Sequence, residues 1–124
     1  DVRHKKQIQD IPVELIERIT NIKPKMYEMK GKIKFGYIAQ DVEREIYKYC
    51  LSQTHDIRKA SERAKEFSIL HKDESYLSLL YNEIFALKEV EYETRIQEME
   101  DKIEKLEKII LNNCNNCNSH TGDE

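Results

Sequence analysis

Among the residue types able to do chemistry, the most closely spaced group lies near the C-terminal end: Cys114, Cys117 and His120. Two thiols three residues apart, with an imidazole three further on, have the spacing of zinc ligands. A structural zinc site takes four ligands, and one chain supplies only three. Several chains brought together could share a metal or form interchain disulfides. A single chain offers an inert Asn-rich tail, so no metal and no cofactor is expected. The other histidines, His4, His55 and His71, show no catalytic spacing, and three glycines are too few for a phosphate-binding loop. Three cysteines in a Lys- and Glu-rich chain do not read as a disulfide framework and point to an intracellular folding site.

Charge is the next candidate. Lys23, Lys25, Lys30, Lys32 and Lys34 make the N-terminal third basic, whereas acidic residues lead between Glu83 and Glu107. The lysines alternate with Ile33 and Phe35, which reads as the solvated face of a strand, so neither nucleic acid nor a membrane surface is expected as partner. There is no 18-residue apolar run to cross a bilayer. With 36% charged and 39% hydrophobic residues and no Trp, the chain is poor in core material for 124 residues. Part of it is therefore expected to be extended, or to bury its apolar surface between subunits.

The elements follow from period and punctuation. Residues 1–9 read as a polar arm. Asp10 to Asn21 reads as a helix with Asp10 as N-cap, Pro12 in the first turn and Val13, Leu15, Ile16 and Ile19 on one face. Pro24 stops it. Lys25–Met29 and Lys32–Ile38 flank Lys30-Gly31 as a β-hairpin, with Gly36 marking a bulge or a close backbone approach. A second helix runs from Ala39 or Gln40 to about Leu51, with Val42, Ile46, Tyr47 and Cys50 inward. Residues 52–66 show no apolar face and read as a solvent-exposed loop or protrusion. Phe67–His71 is a strand candidate, with Lys72-Asp73-Glu74-Ser75 as its turn.

From about Tyr76 to Asn112 there is no Gly or Pro, and roughly 35 helical residues would span about 50 Å. Ile96, Met99, Ile103, Leu106 and Ile110 fall at alternating spacings of three and four, the a/d seam of a left-handed coiled coil. Leu80, Ile84 and Leu87 are helical in spacing but out of phase with it. Ile at a with Leu or Met at d leans towards two strands. Arg95-Ile96-Gln97-Glu98-Met99-Glu100 instead resembles the signature of short trimeric coiled coils, with Arg95 at g and Glu100 at the next e pairing between chains. The expected fold is therefore α+β: a small head with short helices and a hairpin, then a long C-terminal helix forming a trimeric coiled coil. The expected organisation is a head at 1–76 with a variable protrusion around 52–75, a helix at 77–112 and a disordered tail at 113–124.

Three blocks, in order, resemble the intramolecular chaperone (peptidase S74) domain at the C-termini of phage tail spikes, fibres and neck appendages. Asp1-Val2-Arg3-His4-Lys5-Lys6-Gln7-Ile8 is similar to the family's Ser-Asp-x-x-x-Lys-x-x-Ile opening without the serine. Ile22-Lys23-Pro24-Lys25-Met26-Tyr27 and Gly36-Tyr37-Ile38-Ala39-Gln40-Asp41-Val42 resemble its Pro-x-x-Tyr strand and Gly-Phe-Ile-Ala-Gln-Glu-Val stretch. Tyr81-Asn82-Glu83-Ile84-Phe85-Ala86-Leu87 resembles the start of its long terminal helix.

The resemblance implies a single-turnover, self-cleaving serine–lysine peptidase in a precursor, cut between a serine and Asp1. Lys5 falls where the catalytic lysine is expected, and Gln40 lies in a family-like block. Acting as general base, Lys5 would need desolvation or neighbouring cations such as Lys6 and Arg3. Without the serine, this chain would be the inactive released product, its Asp start being the expected sign of processing; a boundary simply chosen at Asp1 is the alternative. The resemblance further implies a homotrimer acting on the upstream fibre polypeptide in the host cytoplasm during virion assembly, then released or transiently attached. A non-catalytic coiled-coil oligomerisation module is the competing expectation.

Overall fold

The computed structural model describes residues 2–72 and 77–122, which fall into two compact units, residues 1–91 and 92–124. After a short 3-10 turn at Val2–His4 come α1 (Val13–Ile19), β1 (Lys25–Met29), β2 (Lys32–Gly36), α2 (Ala39–Thr54), α3 (Ile57–Ala64), β3 (Leu70–Lys72), β4 (Leu77–Leu79) and α4 (Tyr81–Gly122). The α+β expectation of short helices and a hairpin followed by a long helix is borne out.

In the first unit α2 is the central element, with α1, α3 and the β3–β4 pair packed against it. Val42, Ile46 and Cys50, spaced by four, form one buried stripe. They meet Leu15, Ile19 and Ile22 from α1 and its exit, Ala60 from α3, and Ile69 and Ile84. Each fully buried aliphatic side chain contributes roughly 1.5–3 kcal/mol relative to exposure. The strength of the small core therefore rests on few residues.

Local chemistry sets the boundaries. Asp10 does not cap α1. The Pro12 carbonyl receives the first N–H bonds, from Leu15 and Ile16 at 3.1 and 3.2 Å, because the chain stays extended through Pro12. Lys30 and Gly31 both take positive φ, +52° and +72°, the backbone of a two-residue type I′ turn. Met29 accordingly faces Lys32, and Met26 faces Phe35.

Residues 52–66 are not a loop, which corrects the expectation there. The helix continues to Thr54, His55 takes the left-handed conformation that ends it, and the Asp56 carboxylate accepts from the Lys59 N–H at 3.1 Å to start α3. The face that α3 buries is built from Ala60 and Ala64, residues too small to stand out as an apolar stripe.

β3 and β4 pair antiparallel with Leu70 opposite Leu79. The strand begins at Leu70 rather than Phe67, and the turn expected at 72–75 falls mostly on residues outside those described. α4 begins at Tyr81 rather than near residue 76, because Leu77–Leu79 is drawn into that pairing. It continues to Gly122 through the segment expected to be a disordered tail. Asn costs a helix only some tenths of a kcal/mol, and extending an existing helix avoids the nucleation cost.

Candidate functional site

Lys5 follows the 3-10 turn and precedes Gln7, whose φ is +56°. It is exposed, as are His4, Lys6 and Ile8, and Asp1 lies outside the described residues. Gln40 sits, also exposed, in the first turn of α2. One chain therefore does not bring Lys5 and Gln40 into a desolvated pocket.

The hairpin has two unlike faces. Lys25, Tyr27, Lys32, Lys34 and Gly36 share one by register, and Tyr27 is half-buried there. Met26, Glu28, Ile33 and Phe35 share the other and are turned to solvent, Phe35 with 77% of its surface exposed, while the exposed Met29 lies on the lysine face. A two-stranded hairpin in one small chain has no second layer to cover that face. Gly36 marks the close approach expected of it: a Cβ there would stand 2.5 Å from the Tyr81 hydroxyl and 3.5 Å from that of Tyr27. Tyr81 in turn lies 5.9 Å, ring to ring, from Phe85 and 6.4 Å from Tyr37.

Three buried charged residues escaped sequence reasoning. Lys88 and Glu91, on α4, are 5% and 1% exposed, and their ammonium and carboxylate lie 2.7 Å apart. The Lys88 ammonium also donates to the carbonyls of Ile19 (3.0 Å) and Ile22 at the exit of α1, and stands 5.7 Å from the Tyr37 ring centre. A cation at a helix C-terminus is favoured by the helix dipole and by the unpaired final carbonyls. Glu45, on α2, accepts from the Asn21 amide at 3.4 Å. The available signal was spacing: Ile84, Leu87, Lys88 and Glu91 continue one helical face, with charge replacing hydrocarbon at its end.

In the second unit Ile96, Met99, Ile103, Leu106 and Ile110 are each more than half exposed on the helix. Tyr92 precedes them in the same repeat and is also exposed. In the heptad frame of these residues, positions e hold Glu93, Glu100 and Glu107, and positions g hold Arg95, Lys102 and Ile109. The described helix thus carries an exposed apolar stripe with charged residues beside it.

No group of three potential metal ligands occurs among the described residues. Cys114 is exposed, and the side chains of Cys117 and His120 lie outside those described. Cys50 is buried, and that burial raises its thiol above the ordinary range, with Arg63 opposing and Glu66 reinforcing. No described helix is long and apolar enough to cross a membrane. Two open clefts flank α2: one of about 520 Å³ beside Cys50 and Arg63, the other of about 600 Å³ beside Arg44 and Lys65. Neither gathers a catalytic set.

The architecture is a small α+β unit together with a long last helix that carries an exposed apolar stripe. Residues 1–49, from the Lys5 arm through most of α2, match the family model of peptidase S74, described as a chaperone of endosialidase. The resemblance read from the sequence is borne out over that part of the chain. No curated protein and no solved structure matches.

Proposed function

We propose that this chain is an intramolecular chaperone that assembles as a homotrimer through α4 and acts on an upstream fibre or appendage polypeptide of the same precursor. The observation that carries the reading is the match of residues 1–49 to a chaperone family. The exposed seam supports assembly, and its flanking charges support parallel helices. In a parallel pair each g residue faces the e residue of the next heptad, so Arg95 meets Glu100 and Lys102 meets Glu107. An antiparallel pair would set like charges against each other. The trimer reading rests on the Arg95–Glu100 pattern.

β-rich fibres are dominated by long-range pairings, so they fold slowly and expose strand edges. A segment that associates first raises the effective concentration of the chains and sets their register. Self-cleavage of the bond between a preceding serine and Asp1 would consume one water, leaving a carboxylate on the serine and a free amine on Asp1. A serine attacking its own carbonyl would close a four-membered ring, so the attacking oxygen would come from a neighbouring chain's serine or from water, with Lys5 taking its proton. The segment would then be released, leaving a kinetically trapped fibre. Assembly would supply the desolvation that an exposed Lys5 lacks in one chain. The reaction would take place in the host cytoplasm during virion assembly.

The exposure of Lys5 also favours a second reading, a permanent oligomerisation module without proteolysis. Mass measurement on the precursor segment separates the two. A product beginning at Asp1, absent in a Lys5→Ala variant that still assembles, is expected. An uncut wild-type segment leaves the module, and equal cutting of both makes Lys5 an ordinary surface residue.

A further inference from the structure

Counting the seam back by sevens from Met99 gives Tyr92 and then Phe85. Phe85 belongs to the first unit, where the helix was expected to have left the seam's phase. The buried face of α4 there is formed by Ile84, Lys88 and Glu91, which leaves Phe85 on another face with 58% of its surface exposed. A large aromatic on a helix without a covering layer, in register with a repeat of exposed apolar residues on the same helix, has one economical explanation. We infer that Phe85 is covered by Phe85 of neighbouring copies, forming an interchain aromatic layer within the first unit. The inference rests on the parallel seam proposed above, because only parallel, in-register chains bring identical d residues to one level.

Two neighbours give the layer a role beyond added contact. Glu89 occupies the a position between Phe85 and Tyr92 and is exposed. A charged residue at one a position lowers stability and fixes register, so the stretch is suited to aligning chains rather than gripping them. Phe85 also leans on Tyr81, whose hydroxyl abuts Gly36 at the end of β2. A copy that covers Phe85 therefore presses on the ring against which the hairpin is seated. Chain association is thereby felt at the part of the fold that residues 1–49 share with the chaperone family.

Interchain disulfide formation tests this in the full chain with Cys50, Cys114 and Cys117 replaced by serine. Single cysteines are placed at Phe85, at Met99 as a seam reference and at Asp101, an f position, as a solvent-facing control. Oxidation with diamide is expected to cross-link Phe85→Cys and Met99→Cys into covalent dimers, and Asp101→Cys far less. Cross-linking at Met99 without cross-linking at Phe85 overturns the aromatic layer and leaves the seam standing. Failure at both positions overturns the seam and the layer together. A second measurement guards against local disturbance: Phe85→Ser should weaken self-association by about tenfold or more, the loss of a buried aromatic layer. Association unchanged by that substitution overturns the inference as well.

Discussion

Lys88 and Glu91 stand one turn apart on α4, both almost wholly buried, with their charges 2.7 Å from each other. The pair is more than a neutralised defect in a small core. Lys88 also binds the carbonyls of Ile19 and Ile22, so a single ammonium ties the exit of α1 to α4 across 66 residues of sequence. Replacing Lys88 with Met removes the cation that a buried carboxylate and two carbonyls share. Loss of one member of such a pair costs about 3–5 kcal/mol. Urea denaturation of Lys88→Met should show a loss of that order, and Lys88→Met/Glu91→Leu should recover part of it. A single variant as stable as wild type would mean that water readily replaces the ammonium.

Gly36 and Tyr81 make a second, more local prediction. A methyl group at residue 36 meets the far end of the Tyr81 side chain rather than backbone, so the ring can give way at a modest cost. Gly36→Ala should destabilise by about 1 kcal/mol, at the low end of overpacking. Tyr81→Phe removes the colliding oxygen and should restore most of the loss in the double variant. Thermal melts of the four proteins give the coupling directly. Additive effects would show that the two positions do not touch.

How much of this was legible in the sequence depended on how each element advertises its buried face. The hairpin was legible because Lys30-Gly31 can take positive φ and the flanking runs alternate. The inward face of α2 was legible because Val42, Ile46 and Cys50 are apolar at a spacing of four. α3 was not, since Ala60 and Ala64 bury little and the rest of the helix is charged. The polar anchors were missed for the opposite reason. Lys88, Glu91 and Glu45 belong to types that pattern reading assigns to solvent, and only tertiary partners justify their burial. Ile33 and Phe35 were legible as alternating with solvated lysines, but not as exposed themselves, because alternation does not say whether the other face is covered. The Lys5 arm was legible as a motif but not as a site, since Lys5 stands exposed in this chain.

The two described thiols should behave differently. Cys50 is 1% exposed, whereas Cys114 is on the surface. In a Cys117→Ser chain a thiol reagent should label one site rapidly and the second only at the rate of opening or unfolding. The pH dependence follows from the raised Cys50 thiol, caused first by burial. Below the ordinary thiol range both folded and unfolded states hold the proton, and stability is unaffected. Above it the unfolded chain ionises first, so stability falls with rising pH until the folded thiol also ionises. Cys50→Ala should lower stability at neutral pH through lost packing yet flatten this alkaline decline. Two thiols labelled equally fast in native protein would contradict the burial.

The charges beside the seam predict the direction in which chains associate. In parallel helices Arg95 and Lys102 meet Glu100 and Glu107 of a neighbour, each exposed pair worth roughly 0.2–1 kcal/mol. One variant carries Arg95→Glu with Lys102→Glu, and another carries Glu100→Lys with Glu107→Lys. Either alone places like charges along the seam and should self-associate more weakly than wild type in sedimentation equilibrium. Mixed together they should associate more strongly than either alone, since the acidic g positions of one then face the basic e positions of the other. High salt should shrink these differences, because the pairs are exposed. If both variants assemble as well as wild type, the apolar positions alone hold the chains, and the charges do not set their orientation.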